Sequence, residues 1–324
     1  MIRTETTAVG GENNSSTMLK GKAPLGFLCV DKPAGMTSAH VVNRVKRSLG
    51  LTRKSKIGHM GTLDPDATGV LVCAVGRATR LIPFLSGGKK VYTGELQLGL
   101  TTSTDDISGE VLSRFAGSLP VSETVLLATK QYRGHILQRP PTISAVKIQG
   151  ERAYVRARRG EDIEIKPKEV VVYDFQVAPV SSERYSYRVE CGPGTYVRSL
   201  VRDLGESLGT GGVVVSIRRE MAFPFHIAMS TPLENIASSH LIPWYEVFGE
   251  IPEVSVSRHS AERLFHGDSS DALREVRGLL NGVQEQGAYA RLCLGSEKTP
   301  VGLLAYESGS WKVIFVDFEA LEEC

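Results

Sequence analysis

Two segments of the chain alternate apolar and polar residues with the two-residue period of a strand that has one buried face. Residues 91–100 place Tyr92, Leu96 and Leu98 on one face, and residues 184–191 show the same alternation before a Gly-Pro-Gly turn. The chain is therefore expected to contain a sheet that packs one face against a core.

Helical segments lie between the predicted strands. Ser38 is a suitable N-cap for a helix that runs to Leu49, because its hydroxyl can accept a hydrogen bond from the first turn. A second helix follows the turn at residues 192–195, with apolar residues spaced three and four apart. Strands and helices do not alternate as in a doubly wound sheet, so we predict an α+β fold with a mixed, mostly antiparallel central sheet and flanking helices.

The composition changes near residues 248–252, which indicates a domain boundary. Residues 23–249 form the predicted main domain. Residues 250–324 hold a short helical stretch and hairpin-like strands, typical of a small β-rich domain. Residues 1–22 are rich in Gly, Asn, Ser and Thr and lack the apolar segment of a secretory signal, so we expect a disordered tail.

The cysteines and the apolar runs indicate a cytoplasmic protein. Five cysteines are widely spread without a Cys-x-x-Cys pair, so we expect buried thiols in a reducing compartment. No apolar run reaches the roughly 18 residues that a membrane-spanning helix needs. The sequence shows no coiled-coil signal, and we expect a monomer that does not contact a membrane.

The charge is unevenly placed along the chain. The formal net charge is +2 at pH 7, yet residues 251–324 carry a net charge of −5. Residues 32–63 contain no Asp or Glu and seven Lys or Arg residues. Such a stretch suits a phosphate-rich partner, although a solvated basic helix face explains the charge equally well.

The most unusual segment is residues 58–69, which combine Gly, Pro and Asp. The chain has no Walker loop, no dinucleotide-binding glycine motif and no metal-ligand spacing, so we expect no cofactor and no metal. Pro65 restricts the backbone of Asp64 to extended conformations, and a carboxylate held in this way can act as a nucleophile. Taken alone, the segment is more typical of a structural turn than of a catalytic loop.

Six motifs follow one another along the chain, and their order and spacing are more specific than any one of them. They are Lys32-Pro33-x-Gly35-x-Thr37-Ser38, Gly58-His59-x-Gly61-Thr62-Leu63-Asp64-Pro65-x-Ala67-Thr68-Gly69, Lys90-x-Tyr92, Leu98-Gly99-x-x-Thr102-x-Thr104-x-Asp106-x-x-Gly109, Gln138-x-Pro140-Pro141-x-x-Ser144-Ala145-x-Lys147-x-x-Gly150, and Gly194-Thr195-Tyr196-x-Arg198. This series resembles the bacterial TruB family of tRNA pseudouridine synthases over roughly residues 24–250.

The resemblance implies the pseudouridine synthase fold and an isomerisation of uridine in the T-loop of tRNA, conventionally at position 55. Asp64 would be the nucleophile and would attack C6 of uracil or C1′ of ribose; Asp66 is the weaker alternative. Tyr92 would stack on the everted base and is a candidate for moving a proton. Arg198 would pair with Asp64 and keep it ionised, and Tyr196 would pack on the other side of the base.

Further residues are assigned to substrate binding by the same resemblance. His59 would occupy the gap left by the target base, and a mobile thumb at about residues 138–168 would close over the RNA. The remaining predicted substrate contacts are Lys32, Ile217, Arg158 and Lys147. Met60 is larger than the small residue expected after His59. The C-terminal residues 250–324 resemble the PUA-like RNA-binding domain of the family.

Three other functions remain open from the sequence. A tRNA-folding chaperone on the same scaffold would need the basic surface but not Asp64. A glycosidase would use Asp64 and Asp66 as paired carboxylates. The same chemistry could also act on another RNA.

Overall fold

The computed structural model of the protein describes residues 24–144, 147–148, 151–152, 156, 159, 165–266, 280, 286–317 and 320–321. The expectations for the tail at residues 1–22, for Arg158, for the side chain of Lys147 and for part of the thumb lie outside the described residues.

The described strands and helices are numbered in chain order. The strands are β1 Gly26–Lys32, β2 Ile57–His59, β3 Thr68–Val75, β4 Lys90–Leu98, β5 Leu100–Thr102, β6 Val111–Arg114, β7 Gly134–Gln138, β8 Lys147–Ile148, β9 Glu151–Arg152, β10 Lys168–Pro179, β11 Arg184–Cys191, β12 Gly212–Ala222, β13 Phe225–His226, β14 Thr231–Pro232, β15 Glu253–Val256, β16 Tyr289–Leu294, β17 Thr299–Glu307 and β18 Ser310–Val316. The α-helices are α1 Ser38–Ser48, α2 Ile82–Leu85, α3 Ser122–Ala128, α4 Val197–Ser207, α5 Trp244–Val247 and α6 Arg258–Phe265. Short 3-10 helices span Gly76–Leu81, Thr129–Tyr132, Ile227–Met229, Leu233–Asn235 and Ser238–His240.

The central sheet has the strand order β14-β1-β3-β12-β4-β11-β10-β7, and β2 and β13 pair with β3 and β12. Most neighbours are antiparallel, but β1 with β14 and β3 with β12 are parallel. The α+β fold with a mixed, mostly antiparallel sheet is therefore confirmed. The parallel β3–β12 pair matters for the site, because it joins the end of the Asp64 segment to a strand that lies about 150 residues later in the chain.

One face of the central sheet carries the main core. Val41 and Val45 of α1 and Leu200 and Leu204 of α4 are fully buried in one cluster with Leu96 of β4. Each helix presents these residues at spacings of three or four, which puts them on one face. Both helices are therefore held firmly against the sheet, and the N-terminus of each lies near the segment that contains Asp64.

The start of α1 differs from the prediction. The N-cap is Thr37, whose hydroxyl accepts a hydrogen bond from the backbone N–H of His40 at 3.2 Å. Ser38 is instead the first helical residue, and its buried hydroxyl bonds to both the N–H and the carbonyl of Leu63. The prediction of Ser38 as the cap was wrong because a long-range partner takes up its hydroxyl.

A second sheet with the order β15-β16-β17-β18 begins at Glu253. It has its own buried cluster, but Phe315 also packs on Trp244 of α5, with ring centroids 5.0 Å apart. The indole N–H of Trp244 donates to the Asp317 carboxylate at 2.8 Å. The second sheet is thus packed onto the back of the central sheet through a shared aromatic contact.

The described cysteines Cys29, Cys73, Cys191 and Cys293 are buried and free of disulfides. Within the described ranges, every helix falls short of the length and apolar content that crossing a membrane requires. The same residues contain no group of three or more His, Cys, Asp or Glu side chains placed to hold a metal ion.

Candidate active site

Residues 58–69, which include the end of β2, the connection to β3 and the first two residues of β3, form the Asp64 loop. Ser38 holds Leu63 from one side, with its hydroxyl 2.9 Å from the Leu63 nitrogen and 3.0 Å from the Leu63 oxygen. Gly69, with φ of +96°, ends the loop where β3 meets β12. A side chain there would collide with the backbone of Arg219, so the close approach of the two strands requires glycine.

Lys32 fixes the loop from beneath. Its side chain is fully buried, and its ammonium donates to the carbonyls of Pro33, Pro65 and Ala67 at 2.7–2.8 Å. Burial lowers the pKa of Lys32 to about 8. The negative charges of the nearby Asp66 and Asp64 act in the opposite direction, because they favour the charged ammonium. Lys32 was predicted to contact substrate; in the structure its ammonium donates to three carbonyls of the protein backbone.

Replacing Lys32 by Met is expected to slow turnover while leaving the affinity for RNA nearly unchanged. The change leaves three carbonyls without a donor and loosens the backbone on both sides of Asp64. Each buried unsatisfied group costs about 1–3 kcal/mol of stability. Chemical denaturation together with separate measurements of kcat and of the RNA dissociation constant tests this. Lys54→Met, at an exposed lysine in the basic stretch, is the control. A Lys32 variant that weakens binding without slowing turnover would contradict the positioning role.

Asp64 is paired with Arg198. The carboxylate lies 2.8 Å from the guanidinium, and the Asp64 side chain is 44% exposed whereas that of Arg198 is 4% exposed. Arg198 belongs to the first turn of α4 and also donates to the carbonyls of Thr104 and Ile143 at 2.8 and 3.0 Å. Asp106 lies 3.7 Å from the same guanidinium. The guanidinium is therefore fixed by groups from three other segments, and it holds a carboxylate that still faces solvent.

A cavity of about 250 Å³ opens beside this ion pair. Its wall brings together five of the predicted site residues, which are Asp64, Tyr92, Tyr196, Arg198 and Ile217. Burial raises the pKa of both tyrosines above the ordinary value, so each is a neutral phenol near pH 7. The cavity thus combines an exposed carboxylate, a fixed cation and two aromatic rings.

A second cavity of about 260 Å³ is also lined by both residues of the ion pair. Asp64, Arg198 and Ile217 line both cavities, whereas Asp66 lines only the second one. Asp64 is therefore the carboxylate that shares a cavity with the two tyrosines, and Asp66 does not line that cavity.

Gln138 positions Tyr196 and was not predicted as a site residue. Its buried side-chain amide donates to the Tyr196 carbonyl at 3.0 Å and accepts from the Tyr196 N–H at 2.8 Å. This two-way contact fixes the backbone immediately before α4. The sequence feature that could have indicated this role is the position of Gln138 as the first residue of the Gln-x-Pro-Pro motif.

Arg219 is a second residue that the sequence did not indicate. It is 1% exposed and lines the cavity beside Tyr92. The adjacent Arg218 has a different environment, with a bidentate pair to Asp31 at 2.8 and 3.1 Å. Two neighbouring arginines on a strand point to opposite faces of the sheet, and only the register of β12 shows which of them reaches the cavity.

His59 and Met60 lie at the start of the Asp64 loop. His59 ends β2 opposite Cys73, is partly buried and lines neither of the two cavities. Met60 is 3% exposed and belongs to the cluster on the other face of the sheet, with Trp244 and Phe225. The large residue at position 60 is therefore accommodated by the core and does not intrude on the loop.

Comparison with known proteins identifies the family. Residues 46–197 match the model of the TruB family pseudouridylate synthase N-terminal domain. The chain is 48% identical over 213 residues to a protein named tRNA pseudouridine synthase B from Synechococcus sp. (strain WH7803), covering 65% of this chain and 70% of that one. It is 43% identical over 252 residues to the protein of the same name from Thermobifida fusca (strain YX), covering 75% of this chain and 85% of that one.

The fold has a counterpart among solved structures. A chain of a Cbf5–Nop10–Gar1 complex superimposes with a TM-score of 0.65 at 23% identity, over 92% of this chain and 87% of that one. At that identity the likeness concerns the fold alone. The sequence relatives reach 39–48% identity over most of their own length. With Asp64, its cation and two tyrosines around one cavity, the chain belongs to the TruB family of pseudouridylate synthases.

Proposed function

We propose that this protein is a tRNA pseudouridine synthase that isomerises the T-loop uridine conventionally numbered 55, with Asp64 as its nucleophile. The observation that carries the proposal is the 2.8 Å pair of Asp64 with buried Arg198 at a cavity walled by Tyr92 and Tyr196. The names of the relatives, tRNA pseudouridine synthase B, support the choice of tRNA.

The reaction needs little beyond a well-placed carboxylate. Asp64 attacks C6 of uracil or C1′ of the ribose, the C1′–N1 bond breaks, and the base turns so that C5 can bond to C1′. The bond between Asp64 and the substrate then breaks, which regenerates the free carboxylate. The proton on C5 is lost and N1 gains one, so atoms and electrons balance without an oxidant or a second substrate. A carboxylate is a weak nucleophile, and its fixed position relative to the base supplies much of the rate.

The two tyrosines are proposed to receive the everted base. Unstacking a base from RNA costs a few kcal/mol, and stacking on an aromatic ring returns about 1–3 kcal/mol per base. Ile217 contacts the base from the shared wall of the two cavities. His59, at the beginning of the Asp64 loop, is proposed to fill the gap that the base leaves in the RNA.

The basic groove along α1 is proposed to bind RNA phosphates. Arg44 and Arg47 are exposed and line this groove, and Lys46 braces its edge by donating to the carbonyls of Arg53 and Ser55. Phosphate contacts of this kind set affinity and salt dependence rather than the choice of sequence.

The double change Arg44→Ala and Arg47→Ala is expected to weaken tRNA binding and to reduce its salt dependence. Each lost phosphate contact lowers the slope of log K against log salt by about 1. Filter binding at several salt concentrations measures this slope. Arg184→Ala is the control. Arg184 is an exposed arginine on β11 that lies near Glu95 of β4. An unchanged slope in the double variant would rule out the groove as a phosphate site.

The C-terminal residues 250–324 are proposed to form a PUA-like domain that touches the RNA over a narrow face, since the net charge of −5 on residues 251–324 does not suit broad phosphate binding. Its boundary with the catalytic domain of residues 23–249 is placed just before β15. We further propose that the protein is a monomer and that it acts in the cytoplasm on the T-arm of tRNA.

The proposed function is tested with purified protein and unmodified tRNA transcripts. Pseudouridine mapped by chemical labelling is expected at the T-loop uridine and nowhere else, and a transcript with cytidine at that position should remain unlabelled. Labelling at another uridine would overturn the substrate assignment, and no labelling in any transcript would overturn the activity.

A further inference from the structure

Arg219 is a buried cation beside Tyr92, and the proposed reaction assigns it no role. It lies on β12 directly opposite Tyr92 on β4 in the antiparallel register. Cβ atoms of residues opposed in this way are about 5 Å apart. Both side chains line the cavity that contains Asp64. The guanidinium is therefore part of the same wall as the phenol ring.

Three backbone carbonyls hold the guanidinium in place. Its Nε donates to Val70 at 2.7 Å, and its two terminal nitrogens donate to Gly61 at 3.1 Å and to Thr62 at 3.4 Å. Gly61 and Thr62 belong to the Asp64 loop, so the Arg219 side chain connects that loop to β12, the strand that pairs with β4 at Tyr92. Because carbonyls are neutral, they orient the guanidinium without cancelling its positive charge.

The surroundings of the Tyr92 hydroxyl give this charge an effect. Burial raises the pKa of Tyr92, and the charge and hydrogen bonding of Arg219 act in the opposite direction. Other titratable groups around the hydroxyl are Cys191 and Tyr187 on β11, Lys90 on β4 and Asp64 in the loop. Burial raises the pKa of Cys191 to about 11, which keeps its thiol neutral near pH 7. A negative charge on Asp64 would oppose a phenolate, whereas Arg219 favours it.

We propose that Arg219 is a positioning residue that links the Asp64 loop to Tyr92 and stabilises the phenolate form of Tyr92 during proton transfer. The inference rests on the proposed function above. In this step the C5–H bond of the rejoined base breaks and its electron pair stays in the ring. Tyr92, a neutral phenol at rest, first gives its proton to solvent. The resulting phenolate takes the C5 proton and becomes a phenol again, while N1 takes a proton from solvent.

The ionisation of Tyr92 can be measured without any RNA. Protein labelled throughout with 3-fluorotyrosine gives a ¹⁹F resonance for each tyrosine, and the resonance of residue 92 is the one that Tyr92→Phe removes. Arg219→Gln removes the nearby cation, which disfavours the phenolate, so the pKa of residue 92 is expected to rise by about 1–3 units. Arg218→Gln is the matched control, because Arg218 is the adjacent arginine of β12 and pairs with Asp31 instead. An unchanged titration in Arg219→Gln would overturn the inference.

A double-mutant cycle on the reaction separates this effect from simple support of the loop. Single-turnover rates are compared for wild type, Arg219→Gln, Tyr92→Phe and the double variant. Arg219→Gln is expected to slow wild type about tenfold or more, and to slow the Tyr92→Phe background by no more than about twofold. Equal losses in both backgrounds would show that Arg219 acts only through the Asp64 loop, which contradicts the inference.

Arg219→Lys provides a second variant for the case in which the Gln variant does not fold. It keeps the positive charge but cannot donate to three carbonyls at once. Its effect on turnover is expected to be smaller in the Tyr92→Phe background than in wild type, and its ¹⁹F titration to shift less than that of Arg219→Gln. A wild-type protein that makes no pseudouridine would defeat the proposed function, whereas an active wild type with an additive cycle defeats only the assignment of Arg219.

Discussion

Replacing Asp64 by Asn is expected to reduce pseudouridine formation by at least about 10⁴-fold, the scale seen when a nucleophile is removed from an enzyme. Asn preserves the size and shape of the side chain, so the cavity and the fold should persist. The neutral amide cannot attack C6 or C1′, and it loses the charge that pairs with Arg198 at 2.8 Å. Release of tritium from tRNA labelled at C5 of uridine measures the rate, and filter binding measures the affinity for tRNA.

Asp66→Asn is the matched control for this variant. Asp66 lies two residues away in the same loop but lines only the cavity without the tyrosines. Its replacement is expected to change the rate by less than about tenfold. If Asp66→Asn abolished turnover while Asp64→Asn did not, the nucleophile would be wrongly assigned. If an inactive Asp64→Asn protein kept its full effect in cells, a tRNA-folding activity would account for the function instead.

Arg198→Met is expected to cost both activity and stability. Without the guanidinium, Asp64 is no longer aimed at the cavity, and misplacement of a catalytic group by about 1 Å can cost about 10²-fold in rate. The carbonyls of Thr104 and Ile143 lose their donor, which costs about 1–3 kcal/mol of unfolding free energy for each buried group. Urea denaturation and the tritium release assay measure the two losses separately.

Arg202→Met serves as the control for Arg198→Met. Arg202 lies one turn later on α4, is 13% exposed and pairs with Asp105 and Asp203. It should lose comparable stability with a much smaller loss of rate. Arg198→Lys is expected to behave like Arg198→Met in the rate assay, because an ammonium cannot replace a planar guanidinium that donates to several acceptors at once. An Arg198→Lys enzyme with wild-type turnover would show that only the charge matters.

Much of the fold followed from local patterns. The alternation in β4 and β11 predicted half-buried strands, and the three-and-four spacing predicted α4, because both periods follow from how side chains leave a strand or a helix. The strand β12 was not predicted, although it contributes Ile217 and Arg219 to the site. Its register shifts between Val214 and Ser216 and between Arg219 and Met221, and these irregularities interrupt the two-residue period.

The sequence by itself determined the family, the α+β class and the chemical groups of the candidate site, since these depend on residue types at fixed spacings. Only the tertiary structure decided where those groups point. Lys32 faces backbone carbonyls, Gln138 grips Tyr196 across 58 residues, and Arg219 stands opposite Tyr92. The reason is physical: the partner of a buried polar group is chosen by strand register and helix packing over long distances in the chain, and a local pattern carries no record of that choice.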